Sequence, residues 1–145
     1  MFTYNRFTGS VEMCSFVGTW KCASKENIDK FLEQIGASKE LAQKAVAEKT
    51  VITITHPDSQ TVHFKFQGPD RVAEETSKLS AAFEHRMPSG KTVNATLTKE
   101  SDTRLKMEYS HAGKPVHTIY EIHGNELCVT STAGDVTAVS KYIKE

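Results

Sequence analysis

The chain has 145 residues, with 18 basic and 18 acidic side chains and a formal net charge of +0. That length forms one domain with a single core or a single enclosed cavity. The even charge, without a basic run, excludes the electrostatic footprint of a protein whose main partner is nucleic acid. No stretch approaches the ~18 apolar residues of a membrane span, and Met1 to Phe7 lacks the apolar core of a secretory signal, so a cytoplasmic chain is expected.

In chain order, Phe16-Val17-Gly18-Thr19-Trp20 leads into one strand, and two short helices follow. Ile28, Phe31, Leu32 and Ile35 write an i, i+3, i+4, i+7 stripe, with Ser24 as a candidate N-cap and Gly36 as a stop. A second helix starts at the oxygen-bearing cap Ser38 and carries Leu41, Ala42, Ala45 and Val46 on one side. Helices this short are marginal alone and need a tertiary surface to lie on. From Thr50 the period becomes two: Thr50 to Thr55, a tight connection at Pro57-Asp58-Ser59, then Val62 to Phe66. Gly68-Pro69-Asp70, Pro88-Ser89-Gly90, Glu100-Ser101-Asp102, His111-Ala112-Gly113-Lys114, Gly124-Asn125 and Gly134-Asp135 punctuate further strand-like runs at the spacing of an antiparallel meander. No turn signal marks Ser77 to Ser80 within the stretch from Arg71 to Arg86. The order predicts an all-β fold, a closed antiparallel barrel under a helical lid.

The apolar faces of these strands also carry hydroxyls. The period-two sets are Leu105, Met107 and Tyr109; Thr118, Tyr120 and Ile122; Leu127, Val129 and Ser131; and Val136, Ala138, Ser140 and Tyr142. In a filled core each unsatisfied hydroxyl costs roughly 1 to 3 kcal/mol. A barrel that encloses water and a ligand supplies partners, although single hydroxyls can also bond neighbouring backbone. No inward-facing Asp, Glu or His emerges from these sets, which argues against a lipid-modifying enzyme.

Met13 to Lys21, Glu26 to Leu32 and Gly134 to Tyr142 together resemble the intracellular lipid-binding proteins, the family of fatty acid-binding and cellular retinoid-binding proteins; Gly18-Thr19-Trp20 is the specific part. The resemblance covers residues 13–145. It implies a ten-stranded antiparallel up-and-down β-barrel (a β-clam) with a helix-turn-helix lid, no cofactor, and one fatty acid or other hydrophobic small molecule held non-covalently. A neutral lipid or a retinoid is the alternative cargo, and a monomer is expected. Members that bind acids clamp the carboxylate with Arg-x-Tyr on the last strand and an arginine two strands earlier. Here the last strand reads Ser140-Lys141-Tyr142 and the second arginine position is taken by Tyr120, so Tyr142 is retained and both arginines are absent. Without a charge-assisted partner, a deep carboxylate tends to stay protonated or to sit elsewhere. The acid head then lies near the portal, meets another cation such as Lys91, or is replaced by a neutral group. Residues 1–12 lie outside the resemblance and read as a disordered extension.

The expected site therefore has Ile28, Phe31 and Leu32 as the inner face of the lid. Met107, Val129 and Val136 form its apolar wall, Tyr109, Tyr120, Ser131, Ser140 and Tyr142 its polar spots, and Lys91 is a candidate cation. Cys14, Cys22 and Cys128 show no paired spacing and read as reduced thiols. The six histidines form no metal-ligand pattern, no GxSxG elbow is present, and Asn94-Ala95-Thr96 reads as a coincidental sequon. Transient membrane contact would run through the lid, whose Lys25, Lys30, Lys39, Lys44 and Lys49 are balanced by Glu26, Asp29, Glu33, Glu40 and Glu48. Ligand transfer to vesicles should consequently respond only weakly to phosphatidylserine content. A steep rise in transfer rate with that lipid would contradict this expectation.

Overall fold

The computed structural model describes residues 15–69, 72–87 and 90–145. The extension at residues 1–12, Cys14 and parts of two expected turns, Asp70 and Pro88-Ser89, lie outside the described residues. Ten antiparallel strands and two helices follow the order expected of an up-and-down barrel: β1 (Gly18–Glu26), α1 (Ile28–Gln34), α2 (Lys39–Ala47), β2 (Val51–Asp58), β3 (Thr61–Gln67), β4 (Val72–Lys78), β5 (Ala82–Arg86), β6 (Thr92–Ser101), β7 (Arg104–His111), β8 (Lys114–His123), β9 (Glu126–Ala133) and β10 (Val136–Lys144). None of the described helices is long and apolar enough to cross a membrane.

Strand β1 is bonded along both edges, with Trp20 opposite Ile52 of β2 and opposite Lys144 of β10. This double pairing joins the two ends of the chain and fixes the sheet order β4-β3-β2-β1-β10-β9-β8-β7-β6-β5. The indole of Trp20 is fully buried, and its Nε1–H donates to the Phe16 carbonyl at 3.0 Å. That bond satisfies the one polar atom of an otherwise apolar anchor. Ile54, Val62, Leu105 and Leu127 are also buried at 2% exposure or less and fill the same end of the barrel.

The lid agrees with its stripe but not with its first cap. Ser24 falls inside β1, at a bulge opposite β10, because strand pairing continues to Glu26 and outcompetes local capping. Asn27 takes the N-cap position instead, at φ 58, and its side chain donates to the Thr137 carbonyl rather than to its own helix. Gly36, at φ 93, ends α1 in a Schellman arrangement: Ala37 N–H donates to the Leu32 carbonyl and Gly36 N–H to that of Glu33. Ser38 Oγ accepts from Leu41 N–H at 3.1 Å and caps α2 as expected. Val46 is 46% exposed, one residue beyond the narrow stripe of Leu41, Ala42 and Ala45. Lys25 of β1 donates to the carbonyls of Ala45 and Glu48, placing a cation at the C-terminal end of α2 and tying lid to barrel.

Two expectations for the strands need correction. The β2–β3 turn is at Ser59-Gln60, held by Asp58 Oδ1 accepting from Gln60 N–H, and Pro57 sits in a bulge where its missing N–H breaks no ladder bond. Among the described residues the barrel is also not closed by backbone bonding all round, since β4 pairs only with β3 and β5 only with β6. Between them Ser80 takes φ 58, and the connection is laced to other strands through Leu79 N–H to Gln60 and Ser80 N–H to Leu97. A non-glycine residue in that conformation is why the turn left no signal in the sequence. Truncating Trp20 to Ala should cost about 3–5 kcal/mol of stability, measured by urea unfolding; a loss below about 1 kcal/mol would remove Trp20 from its anchoring role.

Candidate functional site: a cavity under the helical lid

Strand alternation aims one side-chain row from each strand inward, and along the strand axis these rows divide into two zones. Leu105, Leu127, Ile54 and Val62 pack with Trp20 at one end. Residues further along the same strands line a cavity of about 550 Å³ beneath α1 and α2, a volume within the range of small-molecule sites. Ile28, Phe31 and Leu32 of α1 line it from above, and Met107, Val129 and Phe66 supply apolar wall. Tyr109, Tyr120, Tyr142, Thr118 and Ser131 supply hydroxyls. The cavity reaches solvent past α2 and the edges of β4 and β5, where its lining includes the exposed residues Val72, Glu74 and Arg86.

Three residues of the expected site lie elsewhere. Ser140 is buried at 4% exposure, but it sits outside the cavity lining. Val136 packs half-buried against the hydrophobic core, and Lys91 is exposed just before β6, its carbonyl accepting from Met87 N–H. A lysine at the rim of a hairpin keeps its ammonium in water, because burial would strip its hydration.

The hydroxyls are held by packing and by each other. Thr118 and Ser131 are cross-strand partners whose hydroxyls bond at 3.1 Å, so each has a partner within the wall itself. The Tyr120 ring leans on Phe64 at 5.4 Å, and Phe64 stacks with Phe66 at 6.0 Å. Burial, and secondarily the Glu75 charge, pushes the Tyr109 phenol up to about 12. Tyr120 is raised further, by burial and then by Glu75, Tyr142 and Tyr109; burial and then neighbouring Cys22 do the same to Tyr142. All three phenols therefore stay neutral and able to donate at physiological pH.

An ionisable pair inside the cavity overturns the expectation that no inward Asp, Glu or His exists. His85 Nδ1–H donates to both carboxylate oxygens of Glu75, at 2.8 and 2.9 Å, with side-chain exposures of only 15% and 16%. Glu75 belongs to β4 and His85 to β5, so the bond spans the seam where the backbones do not pair. Tyr109 braces it, its ring 5.1 Å from the imidazole. His85 was recoverable from the sequence, since Phe83, His85 and Met87 alternate on one face. Glu75 was not, because Val72 to Lys78 carries no apolar alternation. At the mouth, Gly68 leaves room for the buried Glu48 side chain; a Cβ there would meet Glu48 Cδ at 2.9 Å. Among the described residues no cluster of metal-ligating groups is present, and Cys22 and Cys128 are free thiols.

The phenols give this geometry a measurable signature. Their folded pKa values are raised above the ordinary value of ~10, so the stability they contribute is complete below pH ~10 and is lost as pH rises toward about 12 and beyond. In an alkaline titration, phenolate absorbance from Tyr109, Tyr120 and Tyr142 should appear only together with loss of the β-sheet circular dichroism. Ionisation of all three near pH 10 in a still-folded protein would contradict their placement.

No family model matches the sequence. The chain is similar to the fatty acid-binding protein of Tyrophagus putrescentiae, 32% identical over 136 residues that cover 92% of this chain and 100% of the relative. Among solved structures it is similar to the fluorescent protein UnaG, with a TM-score of 0.85 at 30% identity over 92% of this chain and 100% of the other. The fatty acid binding protein of Schistosoma mansoni, solved in complex with arachidonic acid, shares the fold at a TM-score of 0.85 and 24% identity, covering 92% of this chain and 98% of that one. A lidded ten-stranded barrel around a lined cavity, together with this likeness along nearly the whole chain, establishes that the protein belongs to the fatty acid-binding proteins of the intracellular lipid-binding protein family.

Proposed function

We propose that the protein is a carrier that takes one long-chain fatty acid or similar hydrophobic ligand into the barrel, holds it without covalent chemistry and releases it unchanged. The observation that carries this reading is the 550 Å³ cavity, apolar along most of its wall, with most of its hydroxyls on β7, β8, β9 and β10. Burial of a hydrocarbon chain would supply most of the affinity, at about 25 cal/mol per Å². Tyr109, Tyr120, Tyr142, Thr118 and Ser131 would orient the ligand's polar end, with Ile28, Phe31 and Leu32 covering its chain. The name of the Tyrophagus putrescentiae relative, a fatty acid-binding protein, supports the ligand class. Entry would use the mouth between α2 and the β4–β5 edge, whose exposed backbone and short helices open at low cost.

The Glu75–His85 pair is the kind of group a lipid-modifying enzyme would also need, so the carrier reading is tested by the fate of the lipid. Incubation with a fatty acid, extraction and mass spectrometry should return it unchanged at a 1:1 ratio with protein. A converted product would point to catalysis, and no extractable lipid to an interaction protein with a vestigial cavity. The carrier would act as a monomer in the cytoplasm, a compartment that suits its free thiols Cys22 and Cys128. Tyr142→Phe should weaken a polar-headed lipid by about threefold to tenfold, the worth of one hydrogen bond, while leaving a plain hydrocarbon unaffected. Equal affinities in both proteins for both ligands would take Tyr142 out of the site.

A further inference from the structure

The cavity's ionisable residues have an unequal distribution of sign. Among the described lining residues the basic side chains are Lys25, Arg86 and His85. Lys25 donates to two carbonyls at the end of α2, and Arg86 is exposed at the mouth. His85 faces inward but is engaged by Glu75. The pair sets a carboxylate in the wall with its one cationic candidate already bound to it. The remaining polar side chains of the lining are phenols, aliphatic hydroxyls and two further carboxylates, Glu48 buried at the mouth and Glu74 exposed there.

Resting on the carrier reading above, we propose that the polar wall of this cavity selects an uncharged lipid head that both donates and accepts a hydrogen bond, a hydroxyl or an amide, over a fatty-acid carboxylate. The two halves of the site supply the complementary groups. Phenol O–H groups of Tyr109, Tyr120 and Tyr142 donate to an alcohol oxygen or an amide carbonyl. The Glu75 carboxylate has lone pairs beyond those that take the His85 N–H, and these accept the ligand's O–H or N–H. A carboxylate head satisfies only the first half and meets Glu75 as a like charge in a poorly hydrated space. After burial, the field of the same carboxylate opposes ionisation of Tyr109 and Tyr120, and it opposes a ligand anion at that position for the same reason. Arg86 at the mouth offers an anion a solvated site instead, which is the competing outcome.

The test uses the full chain at neutral pH and displacement of Nile red by three ligands with one common hydrocarbon tail: oleic acid, oleyl alcohol and oleoyl ethanolamide. The alcohol and the amide should bind about tenfold or more tighter than the acid, the scale of one like-charge contact at low hydration. Glu75→Gln keeps the shape and removes the charge, so it should narrow that ratio at least about fivefold, chiefly by tightening oleate. Oleate binding as tightly as the alcohol in the wild-type protein, or a ratio unmoved by Glu75→Gln, overturns the proposal. If Glu75→Gln does not fold, Tyr120→Phe serves in its place. It should weaken the alcohol and the amide by about threefold or more, and unchanged affinity counts against the proposal. Failure of all three ligands to displace the probe would instead overturn the carrier reading, and this preference with it.

Discussion

Bonding of β1 along both of its edges is the constraint on which the rest of the molecule depends. The strand carries Trp20 into the packed end, meets β2 on one side and β10 on the other, and so turns two meanders into one continuous ten-stranded sheet. Without it the chain would have two half-sheets, each with an exposed edge and no enclosed interior. Lys25, near the end of the same strand, anchors the C-terminus of α2. The strand that closes the sheet therefore also positions the lid.

Hollowness follows from how the interior is filled. Phe16, Trp20, Leu105 and Leu127 are fully buried, while further along the same strands as the two leucines Met107, Tyr109, Val129 and Ser131 line the cavity. Buried hydroxyls need partners, and the pairing of Thr118 with Ser131 shows how part of that demand is met inside the wall. The phenols are different. They are held in place by ring packing, their pKa values are raised by burial, and their O–H groups are left available to a ligand. A rigid wall with unspent donors is the condition under which a cavity both solubilises a hydrocarbon chain and orients its head.

The seam between β4 and β5 is where the barrel departs from full closure, and it is bridged by chemistry rather than by backbone pairing. Glu75 and His85 reach across it from opposite edges, and Tyr109 packs on the imidazole. One pair of side chains thus ties the two edges together and places a carboxylate in the cavity wall.

Much of the architecture was legible in the residues themselves. The stripe of Ile28, Phe31, Leu32 and Ile35, the Ser38 cap, the Gly36 stop and the inward rows on β7 to β10 are local patterns, set by periodicity and backbone preference, and the tertiary fold preserves them. Ser24 misled because pairing with Lys141, far along the chain in β10, holds it extended. The Ser80 turn was invisible because its left-handed backbone is imposed by bonds to Gln60 and Leu97, not by a glycine. The candidate site divides in the same way. Tyr120, Tyr142 and Met107 could be placed inside by counting in twos, since alternation is a property of one strand. The meeting of Glu75 with His85, the exclusion of Lys91 and Ser140 from the cavity, and the sign of its interior charge depend on which strands become neighbours and how far along the barrel each side chain lies. Those are distances between remote parts of the chain, and only the folded structure decides them.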